Sequence, residues 1–206
     1  MYVELLDTLR CTAVHESSWL VATASRTEGR FILAGVLGCP VCSAEYVIRD
    51  GAVWFGERDA AVGIAGAIQS EDEVTRLAAL LGFDEAGGLY LLEGPLGVMG
   101  EALADVAPAR FILHSPPEGC AGHAIIRGAG DLVPVGSGLL RGAAISRASQ
   151  PLAEATARAL AAKGRLVAPA DTPVPEGLTV LARDERHWVA ERGAVPTAPV
   201  GISRRR

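Results

Sequence analysis

Cys39 and Cys42 stand three apart in "LGCPVCSAEYVIRDGAVWF", residues 37–55. A thiol pair at Cys-x-x-Cys spacing holds a metal or does redox work. Cys11 and His15, upstream at Cys-x-x-x-His spacing, can supply two further ligands. Tetrahedral zinc takes four nitrogen or sulfur ligands from two such turns, and a small module with little core gains folding energy from it. The alternative makes Cys11 a small buried hydrophobe, His15 a surface residue, and Cys39 and Cys42 a reduced pair. A thioredoxin-like role fits less well, because the motif precedes a hairpin rather than opening a helix.

A second stretch with chemical promise is "LYLLEGPLGVMGEAL", residues 89–103, which joins an apolar run to a helical one through Gly94, Gly97 and Gly100. Glycines at a strand-to-helix turn let a backbone approach a cofactor near a helix N-terminus. Such turns also need glycine on steric grounds alone. Further on, His114 and His123 flank "SPPEGCAG", and a Cys120–His nucleophile is conceivable there. Nothing in the sequence orients that pair, and no catalytic residue is assigned.

Two kinds of element must position these groups. In the first part, Tyr2 to Leu9 has roughly helical periodicity. "WLVATA" (19–24) and "RFILAGV" (30–36) read as strands joined by the loop "SRTEG". "AEYVIRDGAVWF" (44–55) reads as a tight hairpin, because Asp50-Gly51 supplies the two positive-φ positions of a type I′ turn.

The second part alternates. Ser70, Glu73 and Gly82 frame a capped helix over 70–82. Helices are also expected at 97–107 and 151–164, the latter closed by Gly164. Apolar strands fall at 88–94, 109–115, 123–128, 141–146 and 165–171. "HWVAER" and "VPTAPVGIS" read as an antiparallel pair about Gly193, and 183–192 as a solvated surface with Trp188 tucked inward. The pattern is α/β, with a mostly parallel sheet covered on both faces. The boundaries read as a module at 1–57, a linker at 58–69 and a larger domain at 70–206.

The bulk numbers exclude several classes. The 206 residues carry 19 Lys and Arg against 24 Asp and Glu, a formal charge of −5, which gives no general attraction to nucleic acid or anionic lipid. The terminal Arg204-Arg205-Arg206 is the lone basic cluster and reads as a solvated tail. The start of the chain lacks a signal-peptide pattern, and the apolar run from Val62 to Ile68 is too short to cross a bilayer. Four irregularly spaced cysteines suit reduced thiols or metal, hence a cytoplasmic protein.

"LLDTLRC" and "GCPVCSAEYVIRDGAVWF", in that order, resemble the small zinc-ribbon family that activates RNA- and protein-modifying methyltransferases. The resemblance covers about residues 1–56. Cys11, Cys39 and Cys42 match three ligand positions of that family; Val14 stands where the fourth cysteine is expected, and His15 is the nearest substitute. Such modules pair an edge strand with a catalytic partner while covering its apolar surface.

"GDLVPVGSGLLRGAAIS" (130–146) and "LAEATARALAAKGRLVAPAD" (152–171) resemble segments of class I S-adenosylmethionine-dependent methyltransferases, in the right order after the glycine loop. This implies a Rossmann-like domain, with Glu93, Gly94, Gly97 and Asp131 in the cofactor-binding places. The departures are specific. Pro95 replaces the first glycine of the loop, and His114 and Ser115 stand where a carboxylate grips the ribose. Ser146-Arg147-Ala148 replaces the Asn/Asp-Pro-Pro-aromatic motif, and Arg141 an aspartate. Each lost charge-assisted hydrogen bond costs about 1.5–3 kcal/mol of binding. The expectation is a non-catalytic, methyltransferase-like interaction or scaffold protein with a fused zinc ribbon, working with a protein partner or a second copy. The alternative is an active methyltransferase with its activator in cis.

Overall fold

A computed structural model describes residues 1–56, 70–83, 87–106 and 108–193. The expected linker at 58–69, the apolar run Val62–Ile68, the segment "VPTAPVGIS" and the terminal arginines lie outside the described residues.

The N-terminal part opens with a short 3-10 turn, Val3–Leu5, rather than a helix running to Leu9. Two antiparallel hairpins follow: β1 (Val21–Glu28) with β2 (Phe31–Gly38), and β3 (Glu45–Arg49) with β4 (Ala52–Trp54). The second hairpin has the expected turn, with Asp50 at φ 49° and Gly51 at φ 77°. The first departs from expectation. "SRTE" continues β1 past a bulge at Arg26, and only Gly29-Arg30 turns.

The larger part carries α1 (Glu71–Leu81), β5 (Leu89–Glu93), α2 (Gly100–Val106), β6 (Arg110–His114), β7 (Ala124–Arg127), β8 (Leu140–Ala144), α3 (Gln150–Ala159), β9 (Leu160–Pro169), β10 (Leu178–Arg183) and β11 (His187–Arg192). The expected cap signals hold for α1: Ser70 and Glu73 form a capping box, and Gly82 ends the helix at φ 71°.

Helix α3 stops five residues short of Gly164. The Arg192 guanidinium donates to the carbonyls of Ala157, Arg158 and Leu160 at 2.7–3.0 Å, and the chain enters β9 at once. Gly164 instead sits in a bulge of β9, next to Lys163 at φ 62°. "HWVAER" forms β11 and pairs with β10 and β9. Trp188 is 1% exposed, and its indole N–H donates to the Thr172 carbonyl.

All the strands form one sheet in the order β1-β2-β3-β4-β7-β6-β5-β8-β9-β11-β10. From β7 to β9 the neighbours are parallel, and β11 is inserted antiparallel between β9 and β10. Strand β4 joins the N-terminal hairpins to this core by a parallel pairing, Ala52–Trp54 against Ile125–Arg127. Helices α1 and α2 pack on one face over Tyr90, Leu92, Phe111 and Leu113. On the other face, α3 and the N-terminal segment share one core: Met1, Leu5 and Leu9 belong to the same cluster as Leu91, Ile112, Leu152 and Trp188.

The connections from β6 to β7, β7 to β8 and β9 to β10 carry no helix. A parallel pair is usually linked by one. The N-terminal segment takes up part of that covering role: Leu9 bridges Val135, Arg10 N–H donates to Pro134 O, and Gly136 N–H donates to Thr8 O.

Candidate functional site

The first site is built by two turns. In one, the chain leaves a short bridge between Arg10 and Trp19, with Cys11 N–H donating to Ser18 O. In the other, Cys39 N–H donates to Ala44 O and Ser43 N–H to Cys39 O, with Ser43 left-handed at φ 59°. These turns bring Cys11, His15, Cys39 and Cys42 together, with ligand atoms all within 4.8 Å of one another. Cys11 Sγ lies 3.6 Å from Cys42 Sγ, and Cys39 Sγ lies 3.5 Å from His15 Nε2. Tetrahedral zinc with bonds of about 2.0–2.3 Å sets its ligands roughly 3.5–3.8 Å apart.

The surrounding groups suit a metal. His15 Nδ1 is spent on the Glu16 carbonyl, which leaves Nε2 facing the thiols. Tyr46 OH lies 3.1 Å from Cys11 Sγ and accepts from Thr12 N–H, and Ala13 N–H donates to Cys11 Sγ. Burial pushes the Cys39 thiol up, but hydrogen bonds from the Cys42 and Val41 backbone and from the Cys11 and Cys42 thiols outweigh it. They bring it down to about 6. Four donors of the right type and distance therefore fit zinc.

The second site is the carboxyl edge of the sheet. In an open α/β sheet, a ligand crevice forms outside the carboxyl ends of strands where the winding reverses. Here the reversal lies between β5 and β8.

Glu93 ends β5 and is 1% exposed. Its Oε2 accepts from Ser146 N–H and Ser146 Oγ, both at 2.8 Å, and from Arg147 N–H at 3.3 Å; its Oε1 accepts from Arg147 Nε at 2.6 Å. Burial pushes the Glu93 carboxyl up, and the Arg147 and Ser146 bonds more than reverse this, leaving it below the usual carboxylate range. Arg147 also reaches Asp131, Nη1 to Oδ1 at 3.1 Å, and donates to Gly130 O at 3.0 Å. One guanidinium thus spans both carboxylates expected to hold a cofactor.

The glycine loop closes on protein atoms. Gly94 has φ 60°, and a Cβ there would lie 2.8 Å from Ser146 Oγ. A Cβ on Gly97 would lie 2.8 Å from the Pro116 side chain. The loop is a 3-10 turn, Gly94–Met99, leading into α2, where the sequence suggests a helix starting at 97. His114, in the ribose-gripping place, is fully buried with Nε2 2.8 Å from Leu132 O.

Cys120 and His123 both line a cavity beside α2, and burial pushes the Cys120 thiol up, the direction of a packed rather than an activated cysteine. The role of Arg147 was not foreseen. Its signal in the sequence is a cation just after β8, in the place of the Asn/Asp-Pro-Pro-aromatic motif.

The fold is Rossmann-like. The parallel strands β5 to β9 wind outward in both directions from the β5–β8 reversal, and the antiparallel pair β10–β11 lies at one end of the sheet. No protein-family model and no curated protein matches the chain. Among solved structures it is similar to the N-methyltransferase NodS from Bradyrhizobium japonicum WM9, 14% identical with a TM-score of 0.44 over 60% of this chain and 96% of that one. It is also similar to the antibiotic-resistance methyltransferase Kmr, 15% identical with a TM-score of 0.41 over 64% and 98%. Against geranyl diphosphate methyltransferase the identity is 16% and the TM-score 0.37; the match takes in 47% of this chain and 44% of that enzyme's. No helix among the described residues is long and apolar enough to cross a membrane.

Proposed function

We propose that this chain is a non-catalytic, methyltransferase-like interaction protein of the cytoplasm, with a zinc ribbon fused in cis as a structural brace. The observation that carries this reading is the Arg147 guanidinium lying across Glu93 and Asp131. At the winding reversal, where the fold class places a nucleotide ligand, both carboxylates are already engaged by the chain itself.

Zinc held by Cys11, His15, Cys39 and Cys42 fixes the two turns that carry the first hairpin. Exposed Trp19, Val21 and Val47, together with open backbone on the outermost strands β1 and β10, offer surface for a protein partner or a second copy. The negative net charge makes nucleic acid a poor partner.

Thermal denaturation with S-adenosylmethionine and its demethylated product, each at about 1 mM, tests the reading by ligand linkage. The expected result is no change in Tm for the unmodified chain. A rise that Asp131→Ala removes would overturn it in favour of an active methyltransferase carrying its activator.

A further inference from the structure

A cavity of about 190 Å³ opens on the other side of the glycine turn, between α1 and the β10–β11 turn. It is separate from the Glu93–Arg147 cluster, since neither residue lines it. Its floor is apolar: Leu77, Met99 and Val167 are at most 6% exposed, and Leu80 and Leu96 form the walls. Its mouth carries three nitrogen-bearing side chains, Arg76, Arg186 and His187.

These polar groups are unequally engaged. Arg76 pairs with Asp184 and lies 3.4 Å from His187 Nδ1. Asp184 is saturated, since its other oxygen accepts from Arg186 N–H and His187 N–H at 2.8 and 2.7 Å. Glu73, the carboxylate on the wall, is turned to Ser70 N–H in the capping box of α1. The Arg186 guanidinium makes no hydrogen bond or ion pair among the described residues and is left with its donors at the opening. An apolar floor below a guanidinium without a partner among the described residues is the pattern of a site that orients an amphipathic ligand by one polar end.

We infer that this cavity binds a small carboxylic acid, its apolar body against Leu77, Met99 and Val167 and its carboxylate on Arg186. The volume is somewhat above the ~150 Å³ at which an apolar protein cavity takes up benzene. That admits a single aromatic ring or a short alkyl chain and excludes a nucleotide. The inference stands apart from the reading of the Glu93–Arg147 cluster and survives its failure.

Titrating the full chain with benzoate, and with benzamide as its uncharged isostere, tests it through backbone amide resonances in NMR. Saturable shifts are expected in α1 and at residues 184–187, with benzoate binding at least about tenfold tighter than benzamide. Arg186→Ala removes that preference and is expected to leave the fold intact, read from an otherwise unchanged amide spectrum, because its guanidinium makes no hydrogen bond or ion pair among the described residues. Leu80→Phe, which fills the cavity, abolishes binding of both. Equal affinity for the two compounds, shifts unaffected by Leu80→Phe, or no saturable shift at all would overturn the assignment.

Discussion

Arg147 Nε lies 2.6 Å from Glu93 Oε1, and the pair links the carboxyl end of β5 to the segment just after β8. Glu93 is almost fully buried, whereas the Arg147 side chain is 41% exposed, so the carboxylate depends on the arginine more than the reverse. Arg147→Ala is expected to cost about 1–3 kcal/mol, less than the roughly 3–5 kcal/mol for stranding a buried charge outright, because Ser146 keeps two bonds to the carboxylate and the arginine is partly exposed. The midpoint of urea denaturation measures this. An unchanged midpoint would mean that the carboxylate is solvated.

The same pair sets an acid limb. Glu93 titrates below its ordinary value in the folded chain, so its contribution to stability is complete above the normal carboxylate range. That contribution is lost as pH falls through the depressed value. Asp184 behaves likewise: the His187 and Arg186 backbone N–H groups and Arg76 bring it to about 2, so its share fades between about pH 4 and about pH 2. Stability measured from pH 7 down to 2 should fall less steeply in Arg147→Ala and in Asp184→Asn than in the unmodified chain.

Gly94→Ala separates a steric role from a cofactor role. The new methyl meets Ser146 Oγ at 2.8 Å, and the residue sits at φ 60°. A loss of about 1–3 kcal/mol is expected without any ligand present, read by chemical denaturation. A variant as stable as the parent would return the glycine to a ligand-facing role.

Metal analysis of the purified chain should find about one zinc per molecule. Cys39→Ser and His15→Ala should each reduce it well below half occupancy, and chelation should lower Tm by several degrees. A chain that keeps the same Tm after complete metal removal would show that the four ligands are only neighbours.

Residues 1–56 are expected to be inseparable from the rest in unfolding. Met1, Leu5 and Leu9 share a core with Leu91 and Trp188, and β4 covers the edge of β7. Calorimetry of the whole chain should give one transition, and a chain starting at residue 70 should aggregate by exposing that core and edge. Two resolved transitions would count against a shared core.

Much of this was readable in local chemistry. Asp50-Gly51, the Ser70–Glu73 capping box and the Cys39–Cys42 turn each act over a few residues, and each formed where its residues stand. The end of α3 was not readable, because Arg192, 33 residues beyond Ala159, caps it and makes Gly164 unnecessary as a stop. The β4–β7 pairing was also unreadable from pattern, since a parallel register depends on partners 73 residues apart. Arg147 was visible only as a departure from a motif, and its reach to Glu93 and Asp131 is purely tertiary.

The union of β4 with β7 has a kinetic meaning as well. Thirteen residues of sequence, 57–69, separate the end of the N-terminal part from the start of the larger part, and a covalent connection of that length corresponds to an effective concentration of about millimolar. A loose ribbon supplied from another molecule would have to outcompete that tethered copy. A free copy present well below that concentration competes poorly, which favours one N-terminal part for each core.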